Sequence, residues 1–176
     1  ENWDKDQFGE EQLVELYKEN ASIAKAVQIL ELIDTQFSKL TTIHQVEMLT
    51  KQIIVLAQIN LKETVLKCVE RLTKLMDTQT IVEHLSITQK VDAHRSIARQ
   101  NILLGKNSEV IDELSKFLNI KLPPLSKCKI LIDIGLAYKT KDNNEEAKKF
   151  LNKALQVSEE YNFIKEEMRI RLSLIN

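Results

Sequence analysis

The sequence predicts an all-α protein, and three observations carry that expectation. Only 3 Gly and 2 Pro occur in 176 residues, roughly a quarter of ordinary usage. Sandwiches, barrels and dinucleotide-binding α/β folds need many tight turns and glycine-rich approaches, so this count argues against them. Aromatics are 5 % of a chain that is 43 % apolar, which suits helices packed through Leu, Ile, Val and Ala. Apolar side chains recur every three or four residues along nearly the whole chain, and no short stretch alternates as a half-buried strand does.

Each element follows from that period. Leu13, Leu16 and Tyr17, then Ile23, Val27, Leu30 and Ile33, predict one or two helices over 10–38. Thr42 and Gln45 have capping-box spacing and predict a helix start, followed by Val46, Leu49, Ile53 and Leu56 along one face to about residue 60. Val65, Cys68, Val69 and Leu72 to Met76 carry the next helix, and a weaker segment spans 80–87. Val91, His94, Ile97, Ala98 and Ile102 make a longer helix that Gly105 ends. Val110, Leu114, Phe117 and Leu118 give another stripe, stopped by Pro123 and Pro124. The remaining helices read about 126–141, 144–161 and 163–175. Connections of two to six residues predict antiparallel neighbours.

Several function classes are excluded or disfavoured early. A formal charge of −1 gives no global field for nucleic acid or anionic membrane. Ten acidic and four basic residues in positions 1–50 make that end acidic; it reads as a solvated helix face or a surface for a basic partner. The longest apolar runs, such as Ile53 to Ala57, are far shorter than a membrane span. Two cysteines 60 residues apart, Cys68 and Cys128, read as reduced thiols of a cytoplasmic protein. No leader pattern opens the chain, and its first residue is Glu1 rather than Met, which reads as a piece of a longer protein.

Segment 128–161, CKILIDIGLAYKTKDNNEEAKKFLNKALQVSEEY, resembles a tetratricopeptide repeat, a helix–turn–helix unit. Leu131, Ile134, Gly135 and Tyr138 stand where the first helix of that family carries a large residue, Leu, Gly and Tyr. Ala147, Leu151 and Ala154 match the small, large and small positions of the second helix. The physical logic stands beside the resemblance: Gly135 and Ala147 remove bulk where two helices cross, Tyr138 and Leu151 fill the wedge, and Asn143 with Glu146 caps the second helix. Glu159 departs from the family's usual Pro, so the second helix is expected to run on toward Tyr161. A fainter copy at 91–124 keeps Ala98 but places Val110 and Phe117 at small-residue positions. Residues 10–80 are hairpin-like only by apolarity. Residues 163–176, with Phe163, Ile164, Met168, Leu172 and Ile175, read as a closing helix laid over the last hairpin. The resemblance implies a single domain over 1–176: a right-handed superhelix of about four stacked hairpins, a tetratricopeptide-like α-solenoid.

Candidate chemistry is sparse. His44, His84 and His94 lack metal-ligand spacing, and His94, at a position equivalent to Leu131, is expected to be packed and partly buried. Cys68 and Cys128 read as small core residues. No phosphate loop, carboxylate pair or nucleophile motif occurs, so no catalysis, cofactor or metal is expected. Lys121, Lys127, Lys129, Lys139, Lys141, Lys148 and Lys149 are interleaved with Asp133, Asp142, Glu145 and Glu146 without a stacking platform, which disfavours direct nucleic-acid binding.

Arg95 and Arg99 lie one turn apart, and Lys129, Ile132, Leu136 and Lys139 occupy the matching face one repeat later. In the resembled family that face lines a concave groove for an extended peptide or a helix. These six positions therefore read either as a peptide groove, with cations orienting an acidic ligand, or as ordinary solvated positions. They do not match the Lys and Asn pattern of a carboxylate clamp. The leading expectation is a non-catalytic protein- or peptide-binding scaffold. The alternative is a peptide-sensing regulatory domain of a larger bacterial transcriptional or signalling regulator.

Overall fold

A computed structural model describes residues 37–58 and 61–175. The helices expected over 10–38 fall almost wholly outside the described residues. Among the described residues there are eight helices and no strand, so the chain is all-α there. They are α1 (Thr42–Gln58), α2 (Lys62–Met76), α3 (Gln79–His84), α4 (Ile87–Leu103), α5 (Asn107–Phe117), α6 (Pro124–Thr140), α7 (Asn144–Glu160) and α8 (Ile164–Ile175). None of these is long and apolar enough to cross a membrane. The chain divides into two compact units, 1–84 and 85–176.

In the first unit, α1 packs against α2 and both meet the short α3. Val46, Leu49, Ile53 and Leu56 of α1 are buried, as are Val65, Cys68, Leu72 and Met76 of α2. The entry to α1 is capped one residue earlier than its sequence suggests. Thr41 Oγ1 accepts from the His44 backbone N–H at 3.5 Å and lies 2.6 Å from His44 Nδ1. The Gln45 side chain turns back instead to the carbonyls of Phe37 and Leu40, both at 3.1 Å.

In the second unit, α6 is the centre: it packs against α4 and α5 before it and against α7 and α8 after it. A helix in that position must be apolar on every side. Accordingly Cys128, Ile130, Leu131, Ile132, Ile134 and Ala137 are all buried. Ile130, Ile134 and Ala137 join Val91, Ala98, Val110 and Leu114 in one core cluster, while Cys128, Leu131 and Ile132 join Leu151, Ala154 and Ile170 in another.

Three of the turns share one construction. Gly105, Asp142 and Asn162 each follow a helix with φ of 78°, 58° and 56°. In each case the next residue's N–H reaches back five residues: Lys106 to Asn101 at 2.9 Å, Asn143 to Tyr138 at 3.1 Å, Phe163 to Ser158 at 2.8 Å. These are Schellman turns, which satisfy the last carbonyls of α4, α6 and α7 while reversing the chain. Ser86 and Gln89 form a reciprocal capping box at the start of α4. Pro124, expected only to stop a helix, starts one: it occupies the first turn of α6, where its missing N–H costs nothing.

Candidate functional site

The cationic pair on α4 faces inward. Arg95 and Arg99 are one turn apart on the side of α4 that meets α6, and both reach Asp133, which is fully buried. Arg95 Nε donates to Asp133 Oδ2 at 2.7 Å, and Arg99 Nε donates to Oδ1 at 3.1 Å. Arg169, from α8, brings Nη2 to 3.7 Å from Oδ1. Arg95 Nη1 also meets Asp92 Oδ1 at 3.4 Å. One buried carboxylate thus ties together α4, α6 and α8.

The physical reason is desolvation. A carboxylate carried into an apolar interior persists only with charged partners, and α6 holds Asp133 between Ile132 and Ile134, both with no exposed surface. The guanidiniums compensate it more than once. Burial, and then the neighbouring Arg99 charge, push Arg169 below its ordinary value, and Asp133 opposes that shift. The side chain of Arg95 is 7 % exposed, but those of Arg99 and Arg169 are 31 % and 41 % exposed. The last two therefore keep part of their donor forks toward solvent.

The six expected groove residues consequently fare differently. Arg95 is buried and committed to Asp133, so it does not steer a ligand from solution. Ile132 is buried against Cys128, Leu151, Ala154 and Ile170, so it is a core residue rather than a groove wall; α6 has no solvated apolar face there because α7 and α8 cover it. Arg99, Lys129 and Leu136 remain half-buried. Lys139 is half-buried and donates its Nζ to the Ser173 carbonyl at 2.6 Å, near the C-terminus of α8. The repeat positions Ala98, Leu131, Ile134, Gly135, Ala147, Leu151 and Ala154 are all buried. Tyr138 is half-buried and stacks on Phe150, ring centroids 5.5 Å apart.

Asp133 and Arg169 were not among the expected site residues. The signal for Asp133 was legible: a single carboxylate interrupts the apolar run Ile130 to Ala137, and a buried carboxylate demands a cation. Arg169 carried no comparable signal. His94 is partly buried, as expected; its Nδ1 lies 2.5 Å from Glu113 Oε1 and its ring meets Phe117 edge-on at 5.1 Å. That pair borders an open cleft of about 670 Å³ with Glu109, Asp112 and Ile120 on its walls, and none of the six groove residues lines it. Among the described residues no cluster of His, Cys, Asp and Glu is arranged to hold a metal ion. No protein-family model matches the chain, and neither a curated protein nor a solved structure matches it.

Proposed function

We propose that this chain is a non-catalytic protein- or peptide-binding module whose hairpins nest as a tetratricopeptide-like stack. The single observation that carries the reading is the ionic tie among α4, α6 and α8. Helices two apart in sequence are bonded to one another through Asp133, as the first helices of successive nested hairpins would be. Gly135 under Leu151 supports the same reading, because it supplies the close crossing that nesting needs.

On this reading the ligand-facing surface is narrower than the six-residue groove. It consists of the exposed edges of Arg99 and Arg169 with Lys129 and Leu136 beside them. Guanidinium edges already polarised by a buried carboxylate donate to carbonyl or carboxylate oxygens of an extended, acidic peptide, and Leu136 offers apolar contact. The cost of ordering those arginines is already met by Asp133, so a peptide finds its donors in place.

The test is selection of peptides from a random displayed library on the immobilised chain. Enrichment of acidic peptides is expected, with binding weakened at least tenfold by Arg99→Gln and by Lys129→Glu while circular dichroism is unchanged. Recovery of no peptide, or of peptides indifferent to both substitutions, overturns the proposal.

A further inference from the structure

The helix α8 carries two apolar faces, and only one is used. Ile170 is fully buried, with Phe163 and Leu174 packed beside it against the core formed with α6 and α7. The four residues expected to lie over the preceding hairpin do not: Ile164, Met168, Leu172 and Ile175 are 70 %, 62 %, 61 % and 80 % exposed. Steps of four, four and three residues set them within about 80° of arc, one continuous stripe along the helix. A helix apolar on opposite faces is a helix that is covered on both. Exposing four large apolar side chains in one row on a 12-residue helix marks an association surface.

We infer that the occupant is a second copy of this chain, its α8 lying antiparallel across a two-fold axis. The stripe matches itself when reversed. Ile164 then meets Ile175 of the second copy, and Met168 meets Leu172. Charge selects the same arrangement. Glu167 and Arg171 line one edge of the stripe, four residues apart and bonded at 2.8 Å. Antiparallel pairing about a two-fold axis sets each flank against the same flank of the other copy. Glu167 of one helix therefore stands opposite Arg171 of the other, twice over. Parallel pairing would instead set that flank against the opposite edge of the stripe, and the Glu167–Arg171 exchange between copies would be lost. Arg171 has donors enough for this, since Glu159 and Glu167 engage only Nη2 and Nε. A single helix supplies less area than the roughly 800 Å² per partner of a standard interface. The dimer is accordingly weak, with a Kd on the order of 10 µM.

Sedimentation velocity of the 176-residue chain, over protein concentrations bracketing that value, reads the equilibrium directly. The expected result is a concentration-dependent monomer–dimer system that Met168→Glu shifts to monomer, with the helical circular dichroism of the parent retained. Glu167→Arg alone and Arg171→Glu alone should each weaken the dimer at least fivefold, and the two together should restore it. A chain that stays monomeric throughout overturns the inference, as expected if the stripe serves a different protein's helix. A dimer indifferent to Met168→Glu, or one that the double charge reversal fails to restore, overturns it equally.

Discussion

Gly135 and Leu151 are in contact so close that the glycine admits no side chain. A Cβ at Gly135 would stand 2.8 Å from Leu151 Cγ, 3.0 Å from its Cδ2 and 3.4 Å from the Ala147 carbonyl oxygen. Leu151 is 1 % exposed and hemmed in by the core, so it cannot swing clear. Alanine in a helix interior is favoured over glycine by about 1 kcal/mol, whereas overpacking costs about 1–3 kcal/mol. Gly135→Ala is therefore expected to destabilise by about 1 kcal/mol, and Gly135→Leu by more than about 3 kcal/mol. Urea denaturation checks this. A Gly135→Ala, Leu151→Ala cycle should give a favourable coupling, because the second change removes the clashing carbons.

The buried ionic tie should break asymmetrically. Asp133→Ala leaves Arg95 charged and nearly buried without its main partner, so a loss of about 3–5 kcal/mol is expected. Arg95→Met costs less, because Arg99 and Arg169 still compensate the carboxylate. Arg169→Met costs least, being the longest of the three contacts at 3.7 Å and the most exposed. Equilibrium unfolding of the three variants tests the order; equal losses would show that the carboxylate is not the hub.

The three Schellman turns make a prediction of opposite sign. Asp142 and Asn162 hold φ of 58° and 56°, which glycine adopts without the Cβ penalty. Asp142→Gly and Asn162→Gly are each expected to be neutral or to stabilise by up to about 1 kcal/mol. Gly105→Ala, at φ 78°, should destabilise by about 1 kcal/mol although a Cβ there meets nothing within 4 Å. Thermal melts of the three variants separate backbone strain from packing.

Helix positions were legible because apolar periodicity is a property of the chain alone. Which apolar stripe meets the core is a property of the neighbours. On α8 the residues at 163, 170 and 174 and those at 164, 168 and 172 share the same period, and the pattern favoured the stripe that is solvent-exposed. The same ambiguity turned Arg95 inward: its spacing with Arg99 fixed a common face, but nothing local said that Asp133 lay against it. The cap at Asn143 was readable, its Oδ1 accepting from the Glu146 N–H at 3.3 Å. The Asp142 and Asn162 turns were not, because Asp and Asn enter the left-handed region far less regularly than glycine and serve as often in caps and other turns.

Cys128 makes the fold sensitive to alkaline pH. Its thiol is fully buried on α6, with Sγ 3.5 Å from the Ala154 carbonyl, to which it donates. Burial, reinforced by the negative charge of Glu166, raises its pKa from 9.0 to about 11. The folded state thus holds the proton more tightly than the unfolded chain. Its contribution to stability is complete below pH 9.0 and is lost as pH rises through about 11. The melting temperature of the parent should fall more steeply across that window than that of Cys128→Ala, which has no thiol there to ionise. Alkylation gives the matching kinetic signature: modification of Cys128 at neutral pH should proceed only through unfolding, at a rate that urea accelerates. Rapid labelling of the folded chain at neutral pH would show that the thiol is neither buried nor raised.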